Sequence, residues 1–118
     1  GMDFAQPEGS KVYAAQAGTV LRMGRNRAAG LFIVLRHANG YETYYNHMSA
    51  HNSRLTAGSK VAAGVRIGLV GCTGYSTSPH LHFAVKKNGR FIDPVFLLRS
   101  YAYHQHAQVS RLIAQVTK

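Results

Sequence analysis

Leu31-Phe32-Ile33-Val34-Leu35-Arg36-His37-Ala38-Asn39-Gly40-Tyr41-Glu42-Thr43-Tyr44-Tyr45-Asn46-His47-Met48 decides the fold class. Leu31 to Leu35 is apolar without a break, which suits a strand buried on both faces. Asn39-Gly40 is a pair that favours a tight hairpin turn. It joins the first strand to a second one running from Tyr41 to Met48. Working outward, Val12-Tyr13-Ala14-Ala15 and Thr19 to Met23 read as further short strands bounded by turn formers. Ala57-Gly58-Ser59-Lys60-Val61 and Ala63-Gly64-Val65-Arg66-Ile67 form a weak repeat that predicts tight corners in a compact sandwich. After Pro94 the chain lacks glycine and proline, and residues 96–118 read as a terminal helix, broken near Tyr103–His106. The expectation is one mainly β domain over residues 1–95, a compact antiparallel sandwich, with a C-terminal helical tail.

The 118 residues suffice for one domain, and a hydrophobic fraction of 46% is enough for a real core. Lys and Arg number 14 against 4 Asp and Glu, which predicts attraction to polyanions such as nucleic acid, anionic lipid or an anionic cell wall. A nucleic-acid readout module gathers its cations on one surface. Here they are scattered from Lys11 through Arg36, Lys60 and Arg90 to Lys118, so nucleic acid is not an expected partner. No apolar run reaches membrane-span length, and no charged-then-apolar leader is visible, so any export signal would lie upstream. Cys72 is the single cysteine, which excludes an intrachain disulfide and a cysteine-rich zinc site. Within Gly71-Cys72-Thr73-Gly74 it is expected to be a small buried side chain rather than a nucleophile.

Seven histidines in so short a chain point to chemistry. In Pro79-His80-Leu81-His82-Phe83-Ala84-Val85, strand periodicity puts His80, His82 and Ala84 on one face and Leu81, Phe83 and Val85 on the other. The apolar face can anchor in a core and hold two imidazoles about 7 Å apart. Such a pair can bind a metal together, or one member can bind while the other handles a proton. A pair of merely exposed histidines has the same pattern. His47 closes another alternating strand, where a structural role and a functional one are both open. Asp3 is one of four acids and a suitable hard ligand for zinc near a histidine pair, or a turn residue. Tyr44 and Tyr45 belong to a groove or to the core.

Taken in order, these segments resemble the lysostaphin-like family of cell-wall metallopeptidases (M23) over residues 1–95. Gly1-Met2-Asp3-Phe4-Ala5 is similar to the end of the family's His-x-Gly-x-Asp-Phe-Ala motif. Tyr45-Asn46-His47-Met48 matches its Tyr-x-His-Leu segment, and Gly68 to Gly74 leads into Ser78-Pro79-His80-Leu81-His82-Phe83. Asp93-Pro94 closes the likeness. The resemblance implies a barrel-sandwich hybrid fold and a Zn2+-dependent endopeptidase that cuts peptide cross-links of bacterial peptidoglycan in the periplasm, cell envelope or extracellular space. It implies Asp3 and His82 as zinc ligands, with His47 and His80 serving the reaction. It also implies a further histidine ligand four residues before Asp3, which would fall two residues before Gly1. Truncation of an active enzyme is the preferred expectation, ahead of a cloning remnant at Gly1-Met2 or a degenerate domain. On that expectation the 118 residues fold but hold zinc poorly. His37, His51, His104 and His106 could substitute, without support from spacing. Ala84 stands where the family often has an acid.

Two rivals have different consequences. A zinc-free domain of the same fold would bind peptidoglycan or regulate another wall hydrolase. A biotinyl- or lipoyl-type carrier shares short strands and Gly-Val corners, but the flanks of Lys60 do not match its attachment tip, and it has no use for His80 and His82.

Overall fold

The computed structural model describes residues 1–76 and 78–94. Nine strands occur among them: β1 (Met2–Ala5), β2 (Lys11–Tyr13), β3 (Gly18–Asn26), β4 (Gly30–Arg36), β5 (Tyr41–His51), β6 (Lys60–Val61), β7 (Arg66–Val70), β8 (His80–Lys87) and β9 (Arg90–Ile92). All pairings are antiparallel. The main path runs β1-β8-β5-β4-β3-β6, with β2 on β7, β7 on β5 and β9 on β8. The β4–β5 hairpin forms as expected. Its turn is a single 3-10 turn (Ala38–Gly40) in which Asn39 takes the left-handed conformation at φ 63°, one that asparagine tolerates. The Ala57 and Ala63 repeats make twin corners, closed by Ser59 N–H to the Thr56 carbonyl and Val65 N–H to the Ala62 carbonyl. Gly58 and Gly64 supply the positive φ at the third position of each.

Period-2 burial sorts the central strands into two faces. Phe83, Tyr45 and Ile33 lie on the inner one, as do Val85, Thr43 and Leu35, each row matched across β8, β5 and β4 and each residue fully buried. Val12, Val61, Ile67 and Val70 from β2, β6 and β7 join the same core cluster. The sheet therefore folds over onto itself, and one apolar core serves both layers. Val34 is buried on the opposite face of β4, which bears out the reading of Leu31–Leu35 as covered on both sides.

Inside this core His37 is almost fully buried. Its Nδ1 lies 2.8 Å from the Ala17 carbonyl and must donate to it, since a carbonyl only accepts. In the neutral ring Nε2 is then an acceptor, 2.6 Å from Thr43 Oγ1. Thr43 Oγ1 in turn lies 2.9 Å from the Tyr45 hydroxyl, which also takes the Ala15 N–H. Burial holds the His37 pKa below its ordinary 6.5, against the raising effect of the Ala17 bond. The unfolded chain thus takes up this proton at higher pH than the folded one does. Stability is fully present above about pH 6.5 and falls as pH drops toward the depressed folded value. His37→Gln keeps a donor and an acceptor but cannot titrate. Melting temperatures followed from pH 7.5 to 5 should therefore fall less steeply in this variant than in the parent.

Two expectations change. Cys72 is exposed rather than buried, because Gly71 packs on Ser49 and the chain then leaves the sheet. The C-terminal helix assigned to residues 96–118 lies outside the described residues and is not borne out; no complete α-helix lies among the described residues.

Candidate functional site

The outer face of the sheet carries the polar rows. His82 on β8 stands opposite Asp3 on β1 and Asn46 on β5, and Ala84 stands opposite Tyr44. With Leu81 and Phe83 locked in the core, the His80–His82 face is fixed outward, as the alternation predicts. Asp3 Oδ1 lies 2.7 Å from His82 Nδ1 and 3.5 Å from His80 Nε2.

His47 reaches the same place by a different device. Thr43 and Tyr45 point inward, so strict alternation would send His47 into the core with them. Instead, Leu31 pairs with Met48 while Ile33 pairs with Tyr45, so β5 carries one extra residue against β4. This is a β-bulge, and bulges re-aim side chains. His47 takes φ 61° at that point, and its N–H bonds the Ala29 carbonyl at 2.7 Å. Here β5 also exchanges β8 for β7 along the same edge, passing from Asn46↔His82 to Met48↔Val70. The His47 ring ends 4.9 Å from the His80 ring and 6.1 Å from the His82 ring, centroid to centroid. The structure thus brings Asp3, His47, His80 and His82 together.

Thr73, unremarked as a site residue in the sequence, holds the bulge. Its carbonyl accepts the His47 Nδ1 proton at 2.6 Å. Its hydroxyl donates to the Met48 carbonyl at 2.6 Å and accepts the Leu31 N–H at 3.1 Å. His80 is anchored similarly, giving its Nδ1 proton to the Ser78 carbonyl at 2.9 Å. With Nδ1 committed as a donor, His47 in its neutral form presents a bare Nε2, while His80 turns its Nε2 toward Asp3 Oδ1 at 3.5 Å. Burial, with the nearby charges of His80 and His82, keeps the His47 pKa below 6.5 despite the Thr73 bond and Asp3, so this ring is neutral near pH 7. For Asp3 burial works upward, but the His82 hydrogen bond and the charges of His82, His80 and His47 outweigh it and lower the carboxyl pKa. Asp3 is an ionised oxygen donor.

An oxygen and an imidazole nitrogen facing each other are donor types that zinc takes. Among the described residues, no group of three His, Cys, Asp or Glu is placed to hold a metal, so the pair fits as two ligands of a larger set. The alternative histidines do not supply the rest. His37 is committed to the core network, and His51 donates through Nε2 to the Phe32 carbonyl at 2.9 Å. His104 and His106 lie outside the described residues. Gly1 sits against the site: a Cβ there would fall 2.6 Å from His82 Nε2 and 3.0 Å from the Phe83 carbonyl. A larger residue would have to displace the His82 ring, so glycine suits this position. Beside the pair opens a cleft of about 260 Å³ lined by Gly1, Tyr44, Asn46, His82, Ala84 and Phe91. Tyr44 faces this cleft while Tyr45 is core. Asn46 and Phe91 are cleft residues that the sequence did not mark.

The model of peptidase family M23 matches residues 1–94. The chain is 42% identical over 93 residues to the peptidoglycan DD-endopeptidase ShyA of Vibrio cholerae, covering 79% of this chain and 21% of that protein. It spans about a fifth of the length of the curated relatives it matches. Among solved structures, the catalytic domain of the antimicrobial peptidase lysostaphin from Staphylococcus simulans superposes with a TM-score of 0.75 at 35% identity, covering 82% of this chain and 76% of that one. A zinc-containing peptidase from Vibrio cholerae gives a TM-score of 0.75 at 38% identity, covering 79% and 28%. The fold, the clustered histidines and the family match over residues 1–94 agree, and the chain belongs to peptidase family M23.

Proposed function

We propose that this chain is the catalytic domain of a zinc-dependent endopeptidase that cleaves peptide cross-links of bacterial peptidoglycan, working in the cell envelope or outside the cell. The observation that carries the reading is the convergence of Asp3 Oδ1, His82 Nδ1 and His80 Nε2, with the His47 ring adjoining them, at the edge of an open cleft. Asp3 and His82 would hold the metal, joined by the histidine that the family motif places before Gly1. Zinc bound there would supply a Lewis acid that activates water near neutral pH and polarises the scissile carbonyl. The chain's own residues would manage the protons. Burial keeps His47 neutral and Thr73 fixes its tautomer, so its Nε2 is a ready acceptor for the proton of the attacking water. His80, anchored on Ser78, would be the second proton-carrying group and donate to the developing oxyanion once it holds a proton on Nε2. A neutral His47 has no Nε2 proton to give, so the oxyanion falls to His80.

Zinc per chain, measured by elemental analysis on these 118 residues and on a version extended upstream by its native residues, tests the reading. Near-stoichiometric zinc is expected only in the extended form, with cleavage of purified peptidoglycan following it. Zinc in neither form would overturn the enzyme and leave a wall-binding or regulatory domain.

A further inference from the structure

The outer face continues beyond the histidines in two more rows. One holds Ala84, Tyr44, Val34 and Arg22, and the next holds Phe91, Lys86, Glu42 and Arg36, each matched across neighbouring strands. The Tyr44 and Phe91 rings lie 5.6 Å apart, and Phe91 is 61% exposed. Lys86 Nζ stands 4.7 Å from the Phe91 ring centre and 5.3 Å from that of Tyr44. The Arg22 guanidinium lies 5.8 Å from the Tyr44 ring and gives one N–H to its hydroxyl at 3.3 Å. Glu42 takes the Tyr44 hydroxyl proton at 2.7 Å, which occupies that hydroxyl on both sides. Glu42, opposite Lys86 on β5, is the carboxylate of this row and is engaged with the Tyr44 hydroxyl; no ion pair within 4.0 Å is described from it to Lys86 or Arg22. The small side chain of Ala84 leaves the cleft floor open between His82 and this platform.

We infer that Lys86 and Arg22, set around the Tyr44 and Phe91 rings, form a subsite that reads a carboxylate-bearing residue of the bound peptide. An aliphatic stem would lie on the rings, and its carboxylate would meet donors that the protein leaves open. Two cations beside the rings favour an acidic ligand over a neutral one. His82 and Lys86 are four strand residues apart, about 13 Å, so the residue read lies several positions from the bond broken. The inference deepens the peptidase reading and rests on it for the identity of the ligand as a peptide.

The test is an NMR titration of the 15N-labelled chain at low ionic strength with two short peptides differing only in one Glu or Gln. The Glu peptide should bind about fivefold tighter, the upper end for a solvent-exposed ion pair, with shifts centred on Tyr44, Ala84, Lys86 and Phe91. Lys86→Met keeps the apolar stem and should erase most of the preference; Lys86→Glu should invert it. Equal binding of the two peptides, or a preference untouched in both variants, would overturn the subsite. The two readings fail separately. A chain that prefers the acid but holds no zinc in extended form loses the enzyme and keeps the subsite. A zinc-loaded enzyme indifferent to the carboxylate loses the subsite alone.

Discussion

His47→Asn should lower kcat for cross-link cleavage about 10²- to 10⁴-fold in the upstream-extended, zinc-loaded protein, the range for removing a positioned acid–base group. Zinc content and melting temperature should stay near those of the parent. Asparagine suits this position because it tolerates the left-handed backbone that His47 occupies at φ 61°. It lacks only the titrating ring. Steady-state kinetics on purified cross-linked peptides, with zinc analysis of the same samples, makes the check. Activity within tenfold of the parent, at equal zinc content, would remove His47 from the chemistry.

The second large effect is on the fold. Gly30 has φ 65°, and a Cβ there would overlap Thr73 Oγ1 and the Thr73 carbonyl carbon and fall 2.6 Å from the Gly74 nitrogen. Most of these atoms are backbone and cannot swing away. Gly30→Ala combines the left-handed penalty of about 1–2 kcal/mol with overpacking of about 1–3 kcal/mol. A loss of about 3 kcal/mol should lower the melting temperature by roughly 12–24 °C in a domain of this size. Gly58→Ala is the comparison, since Gly58 has φ 94° but nothing within 4 Å. It should cost only the backbone term. Thermal unfolding of both variants checks the difference, and an equal loss in the two would refute the packing argument. Gly30→Ala should also impair catalysis in whatever fraction remains folded, because the atoms it strikes are those of Thr73 that hold His47.

The strands were legible in the sequence wherever burial has a simple period. Leu31–Leu35, the Asn39-Gly40 turn and the alternation from His80 to Val85 each follow from local residue pattern, and the structure agrees with all three. Asp3 and His82 lie 79 residues apart, and only the ordered likeness to a family joined them before the β1–β8 pairing was seen. His47 was readable as a strand residue but not as a member of the outer face. The inserted residue that turns it outward leaves no mark in hydrophobic pattern. Thr73 was harder still, because it anchors His47 through its main-chain carbonyl, a group every residue possesses. Tyr44 and Tyr45 show the limit of alternation by itself: adjacency puts them on opposite faces, but two identical residues do not say which is buried. Cys72 misled because a small residue between glycines resembles a packed corner, whereas here the chain is leaving the sheet.

The bulge at His47 has a consequence for descent. Chemistry asks for an imidazole where the main chain would settle more easily around glycine, at a difference of about 1–2 kcal/mol. Against that stand the burial of the ring and its bond to the Thr73 carbonyl at 2.6 Å, which glycine would forfeit. The bulge is therefore held by the ring as well as by the reaction, and a descendant that abandoned the chemistry would still have reason to keep a side chain there.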